Sequence, residues 1–411
     1  MPDDSSAELK LADILFAPDR EKAFAGLLDG PPVRRAKYLD GTDIWLVTRY
    51  QEIRTVLTDE RFSNDATKQS STDLASNIGL PEDVAPYFTH TLGTYDPPGH
   101  TRLRRHVARE FNARRVRELR PRIKEFTDEL LTAMADREQA DLLEALARPL
   151  PLNVICELLG APASDRQQLH DALSGMTSGD LEKIGAAART LAGYFQGLVE
   201  EKRKSPGSDL LSGLTAAHDQ DDGRLSNEEL ISMSLSLLFG GRDTTFSLIG
   251  NGAMLLLTHP EQLRWVREDP DRMSHAVEEL LRLGGPADIA VLRYPLEEVE
   301  LGGETISPGE PVQVVYASGN RDPEQFEDPH QLDVRRDDRS HLSFGHGVHH
   351  CVGAALGRAE GEIALRTLFT RFPDLTLAVS PEEAVYQPGM TRALATLPVR
   401  PGRSVEPAPF E

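Results

Sequence analysis

Cys351 stands in the run Phe344-Gly345-His346-Gly347-Val348-His349-His350-Cys351-Val352-Gly353, directly ahead of a helical pattern from Ala354 through Phe369. A sulfur at a helix N-terminus meets unpaired backbone N–H groups and the positive end of the helix dipole, which favour its thiolate. The flanking glycines permit tight turns and leave room beside the sulfur for a large flat ligand. A second constellation is Phe239-Gly240-Gly241-Arg242-Asp243-Thr244-Thr245, where two adjacent glycines precede a carboxylate and a hydroxyl; taken alone it reads first as a site of close helix packing. A third is Glu279-Leu280-Leu281-Arg282, opposite charges one helical turn apart. A fourth is the basic run beginning Asp96-Pro97-Pro98-Gly99-His100-Thr101-Arg102-Leu103-Arg104-Arg105, in which His100 and Arg104 share a helix face.

These residues need elements to hold them. The spacing predicts a long helix from about Asn227 to Thr258, opened by a capping box in Ser226-Asn227-Glu228-Glu229. Gly240 and Gly241 inside it each cost about 1 kcal/mol relative to alanine, so the site marks a helix crossing or a local opening. Around Glu279, the apolar Ala276, Val277, Leu280, Leu281 and Leu283 cover one side of a helix, with Glu278, Glu279 and Arg282 on the other. Taken alone, that pair is an exposed surface contact.

Strand-like runs are Asp43–Thr48, Val291–Tyr294 and Pro311–Tyr316; helical periods dominate from Thr101 to Leu283. Residues 64–95 lack strong periodicity, and a segment that long suggests a lid or binding loop. The expectation is a mainly α fold with a small β region, one domain over 1–411, with loose tails at 1–8 and 402–411.

Composition bounds the function. The chain has 411 residues, 39% hydrophobic and 27% charged, with a formal net charge of −21. That acidity argues against nucleic acid or an anionic membrane as partner. No basic, apolar leader opens the chain, and Ile231–Phe239 and Ala253–Leu257 fall short of the ~20 residues a span needs. With two cysteines there is no disulfide framework, and a reducing cytoplasm is expected. Cys156 reads as a small core residue.

With His349, Cys351 and Gly353 at these offsets from Phe344 and Gly345, the cysteine run resembles the loop of the cytochrome P-450 haem-thiolate monooxygenases. A zinc site from Cys351, His346, His349 and His350 is the alternative, but structural zinc usually takes several cysteines in paired spacing. A single thiolate suits haem iron, where it favours O–O cleavage. The resemblance also takes in Trp45-Leu46-Val47, Arg61-Phe62-Ser63, Asn320-Arg321-Asp322-Pro323 with Phe326, and Leu397-Pro398-Val399. It is greatest to soluble actinobacterial enzymes that tailor macrolides and related polyketides.

The resemblance implies haem b held between the long helix and the helix after the cysteine loop, with Cys351 as the iron's axial thiolate. His100, Arg104, Arg293 and His349 match ligands of the haem propionates, with His341 as an addition. Asp243 and Thr244 correspond to the acid–alcohol pair that organises protons for dioxygen reduction. Gly240 stands where alanine is commoner and is expected to widen the groove; Arg242 is a charge without a role. Glu279, Arg282 and Arg336 match a structural ion pair with its third member. A small hydrophobic substrate would be bounded by residues 64–95, including Leu92, by Phe239 and Gly240, by Ala287, Ala290 and Val291, and by the turn at Met390. Electrons are expected from a separate ferredoxin and ferredoxin reductase, and residues 101–122, with nine arginines, form a plausible docking face. The protein is expected to be a cytoplasmic monomer. The rival readings are a peroxide-driven oxygenase of the same fold, against which Asp243-Thr244 argues, and a haem- or zinc-binding protein without turnover.

Overall fold

The computed structural model describes residues 8–68, 80–220, 225–387 and 389–405. Its internal contacts gather into two compact units, neither a continuous stretch of chain. The first takes in the described parts of Met1–Asp73, His275–Cys351 and Val385–Ala395; the second, those of Leu74–Ser274, Val352–Ala384 and Thr396–Glu411.

The first unit carries the main sheet. Strand Asp43–Val47 alternates poorly because four of its five residues are buried, as expected of a strand covered on both faces. It pairs antiparallel with Val33–Lys37, in the register Val33 to Val47, and parallel with Val312–Val314. The Trp45 indole N–H donates to Glu310 at 2.9 Å, which satisfies the polar edge of an otherwise buried ring. Of the strand-like run Val291–Tyr294, only Tyr294 enters a strand, Tyr294–Pro295, and Arg293 makes an isolated bridge to Val312. The run Pro311–Tyr316 is a strand for three residues and then turns into the short helix Tyr316–Gly319.

The second unit is helical. Its centre is the helix Asn227–Thr258, whose N-terminus has the predicted reciprocal cap between Ser226 and Glu229. This helix is buried almost all round, so it lacks the one-sided pattern of a surface helix. It packs on Pro149–Leu159, Leu181–Lys204, Ala354–Arg371 and the short helix Ala85–Thr89, which lies in the stretch read as aperiodic. Of that stretch, 69–79 lie outside the described residues, as do 1–7 and 406–411 of the expected tails. At the described end of the C-terminal stretch, Val405 N donates to Arg371 O at 2.9 Å. Among the described residues no helix is long and apolar enough to cross a membrane.

Candidate active site

The cysteine loop belongs to the first unit as far as Cys351. Cys351 N donates to Phe344 O at 2.8 Å and His350 N to Gly347 O at 3.1 Å, closing the run on itself. Gly347 has φ +73°, and a Cβ there would lie 2.4 Å from the backbone oxygen of Leu57, so no side chain fits. The loop holds Cys351 exposed, whereas Cys156 is buried in a helix and its thiol is pushed up to about 12, chiefly by burial. Of the two thiols, Cys351 is the accessible one. Among the described residues no group of three or more His, Cys, Asp or Glu side chains is gathered as a metal cage, and His346 instead lies 3.3 Å from Arg54 Nη2.

Beside the loop lies Tyr316, whose hydroxyl is pushed up to about 12 by burial first and by Cys351, with Arg293 opposing. Arg293 is buried and exchanges two backbone hydrogen bonds with Val312, at 2.9 and 2.8 Å. His341 differs in kind. Its Nε2 lies 3.2 Å from Glu278 Oε2, and its Nδ1 accepts from Ser343 N at 3.3 Å, so both ring nitrogens are engaged within the unit.

The charged side of the Glu279 helix is not a surface. Glu279 is 3% and Arg282 1% exposed. Arg282 meets the carboxylate through two bonds of 2.7 Å, and Arg336 Nε adds a third at 3.2 Å. Asn320, which takes Arg282 on its carbonyl, accepts from Leu342 N and donates to Ser343 Oγ. The ion pair thus braces the chain that runs into Phe344 and the cysteine.

The second unit carries the carboxylate and hydroxyl. Asp243 is a neighbour of Arg242, whose Nη1 lies 3.3 Å from Asp243 Oδ1 and which is only 3% exposed. Burial pushes the Asp243 carboxyl up, while Arg242 and Arg148 oppose that shift. Arg148 reaches the helix from outside it, stacking 4.5 Å over Phe246 and pairing with Glu144 at 2.9 Å. Arg242, which the sequence left without a place, thus has one. The Thr244 hydroxyl donates to Gly240 O, which leaves the lone pairs of Oγ1 available to accept.

The adjacent glycines divide their work. A Cβ at Gly241 would approach Ile155 to 3.0 Å, so this position lets the two helices close, whereas one at Gly240 would meet nothing within 4 Å. Phe239 stacks edge-on against Phe88, 6.2 Å between centroids. Leu92 is half-buried, His100 is buried at the start of helix Gly99–Glu110, and Arg104 lies one turn on. Arg102 is tied to Glu229, the capping residue of the long helix, while Arg105 and Arg109 are exposed. In the first unit, Ala287 and Ala290 pack on the sheet's core, and Val291 and Met390 are exposed.

An accessible thiol in a glycine-pinned loop, with cationic side chains elsewhere suited to carboxylates, is the donor set that a haem-thiolate centre asks for. The chain matches the cytochrome P450 family over residues 157–398. It is 44% identical over 392 residues to 6-deoxyerythronolide B hydroxylase of Saccharopolyspora erythraea, covering 94% of this chain and 96% of that protein. It is also 44% identical to the cytochrome P450 monooxygenase PikC of Streptomyces venezuelae, covering 94% of this chain and 92% of PikC. The solved structure of the tirandamycin C-bound P450 monooxygenase TamI matches with a TM-score of 0.87 at 37% identity, over 95% of this chain and 99% of that one. With a family match over more than half its length and relatives this similar, the chain belongs to the cytochrome P450 family and is a monooxygenase of the actinobacterial polyketide-tailoring type.

Proposed function

We propose that this monooxygenase inserts one oxygen atom of dioxygen into a macrolide or another polyketide, by hydroxylation or epoxidation, drawing electrons from a separate ferredoxin and its reductase. The whole chain would act as one catalytic domain, since neither compact unit is continuous in sequence. The observation that carries the reading is the exposed, glycine-pinned Cys351 in a chain that also carries Asp243-Thr244 in its long helix and is so similar to a 6-deoxyerythronolide B hydroxylase. Spectral titration with a panel of macrolactones and other natural products tests the substrate class. Saturable binding of polyketides is expected; binding confined to another chemical class would overturn it.

When bound, haem on a cysteine thiolate supplies cleavage of the O–O bond. Cys351 would hold the iron, with Phe344, Gly345 and Gly353 shaping the loop around it. His100, Arg104, Arg293 and His349 would bind the two haem carboxylates through charge-assisted hydrogen bonds. Asp243 keeps its proton to higher pH than an exposed aspartate does, because burial disfavours its anion. Thr244 Oγ1, its own proton committed to Gly240 O, is oriented to accept a hydrogen bond and pass order to water beside it. Leu92, Phe239, Gly240, Ala287, Ala290, Val291 and Met390 would line the substrate's apolar surroundings.

Thr244→Ala is expected to bind haem and substrate normally while consuming reductant with a lower yield of product, the balance appearing as hydrogen peroxide. Measuring product, peroxide and reductant together checks this. Unchanged coupling would assign proton order to another group.

For the donor, Arg105→Glu with Arg109→Glu is expected to slow reduction by an acidic ferredoxin and leave substrate binding intact. Arg102 is omitted because its charge is spent on Glu229. Wild-type reduction should also slow with added salt, since exposed charges are screened over roughly 8–10 Å at ordinary ionic strength. Salt-independent reduction would place the docking face elsewhere.

A further inference from the structure

A buried cluster of charge in the first unit has no part in the chemistry above. Arg20, on the helix Arg20–Gly26, is 4% exposed, and Asp288 is 1% exposed. Arg20 Nη1 lies 3.4 Å from Asp288 Oδ2, while its Nη2 donates to the carbonyls of Gln387 at 3.1 Å and Gly389 at 3.3 Å. The next residue, Glu21, accepts from Arg392 and lies 3.6 Å from Arg321. Arg392 and Arg321 both donate to Leu283 O, at 3.1 and 2.7 Å. The backbone continues the pattern: Arg392 N donates to Pro286 O at 2.8 Å, and Ala287 bridges Thr391.

Two segments far apart in sequence, 286–291 and 387–392, are therefore held to one short N-terminal helix. Among their described residues the regular structure is limited to isolated bridges, with 286–291 also tied to the sheet through Ala290 N to Val314 O at 3.1 Å. Yet each presents a large apolar side chain outward: Val291 is 52% and Met390 44% exposed. Apolar side chains on backbone pinned by buried charge make a ready-made recognition surface, whereas on loose loops they must be ordered when a ligand binds, at a cost in affinity.

We propose that Arg20 and Asp288 form a brace that fixes Val291 and Met390 in place and so selects among bulky substrates. This rests on the reading that both side chains face the substrate. Arg20 is a positioning residue: it touches the carbonyls of the turn and acts through them.

The test uses the haem-loaded protein and two ferric-haem ligands, imidazole and a triarylmethyl imidazole. Imidazole is too small to meet the walls, while the triaryl ligand must press on them. Arg20→Met is expected to weaken the triaryl ligand about tenfold or more, the scale of a lost apolar wall contact, and leave imidazole binding unchanged. Should Arg20→Met fail to fold, Arg20→Lys serves. It keeps the charge, but its single ammonium cannot span Asp288 and two carbonyls as a planar guanidinium does. Equal weakening of both ligands would mean that the cluster only supports the haem environment, and unchanged binding of both would mean that it positions nothing; either result overturns the proposal. Loss of the thiolate-type carbon monoxide spectrum in wild type would instead refute the haem-thiolate reading, and is seen before any variant is made.

Discussion

Cys351→Ala is expected to give folded protein with no thiolate-type absorption in its reduced, carbon monoxide-bound form and no oxygenation. The Cys351 side chain is exposed, and the loop closes through its backbone N–H to Phe344 O, which alanine keeps. Stability of the protein without haem should therefore change by no more than about 0.5 kcal/mol, as for ordinary surface substitutions. A matching thermal melt thus separates loss of the ligand from loss of the fold. No second thiol stands in reserve, because Cys156 is buried with its thiol pushed up to about 12 and is not presented as a thiolate. His349 or His350 next to the vacated position could still catch iron, giving an imidazole-type spectrum. Oxygenation at the wild-type rate would remove Cys351 from the centre of the reading.

The parts of this molecule that sequence reveals are those specified locally. Ser226 and Glu229 mark the start of the long helix because a capping box is a short-range pattern, and both of its hydrogen bonds are present. The glycines of the cysteine loop are legible as a short-range spacing, although what forbids a side chain at Gly347 is the distant backbone of Leu57. What escapes is specified at long range. A helical wheel puts Glu278, Glu279 and Arg282 opposite the apolar face and hence in water, yet all three are buried. Their cover comes from chain beyond Asn320 that has little periodicity to predict it. Arg242 looked misplaced because its surroundings include Arg148 and Glu144, drawn from another element. The pairing of Arg20 with Asp288, separated by 268 positions, has no local signature beyond a lone carboxylate in an apolar run.

Arg282→Lys is expected to be nearly as damaging as Arg282→Ala, and both should yield little haem-loaded protein. All the guanidinium's N–H directions are used. Nε and Nη2 meet Glu279 at 2.7 Å each, Nη2 also reaches Gln331 O at 3.2 Å, and Nη1 donates to Asn320 O and Pro329 O at 2.8 and 2.7 Å. A lysine offers three donors from one point, so at least two buried acceptors lose their partner. Glu279→Ala attacks the same node from the other side. It leaves the charge of Arg282 without a counter-ion at 1% exposure, removes the acceptor of Asp333 N, and takes from Arg336 its bond through Nε. Breaking a buried pair from one side costs about 3–5 kcal/mol, a large share of a typical domain's stability of about 5–15 kcal/mol. The damage should concentrate where the brace leads, along Asn320 to Leu342, Ser343 and the cysteine loop. Haem retention, read as the ratio of haem absorbance to protein after purification, should therefore fall further than helical content read by circular dichroism. Variants that retain haem and melt like wild type would return the pair to the status of a surface contact.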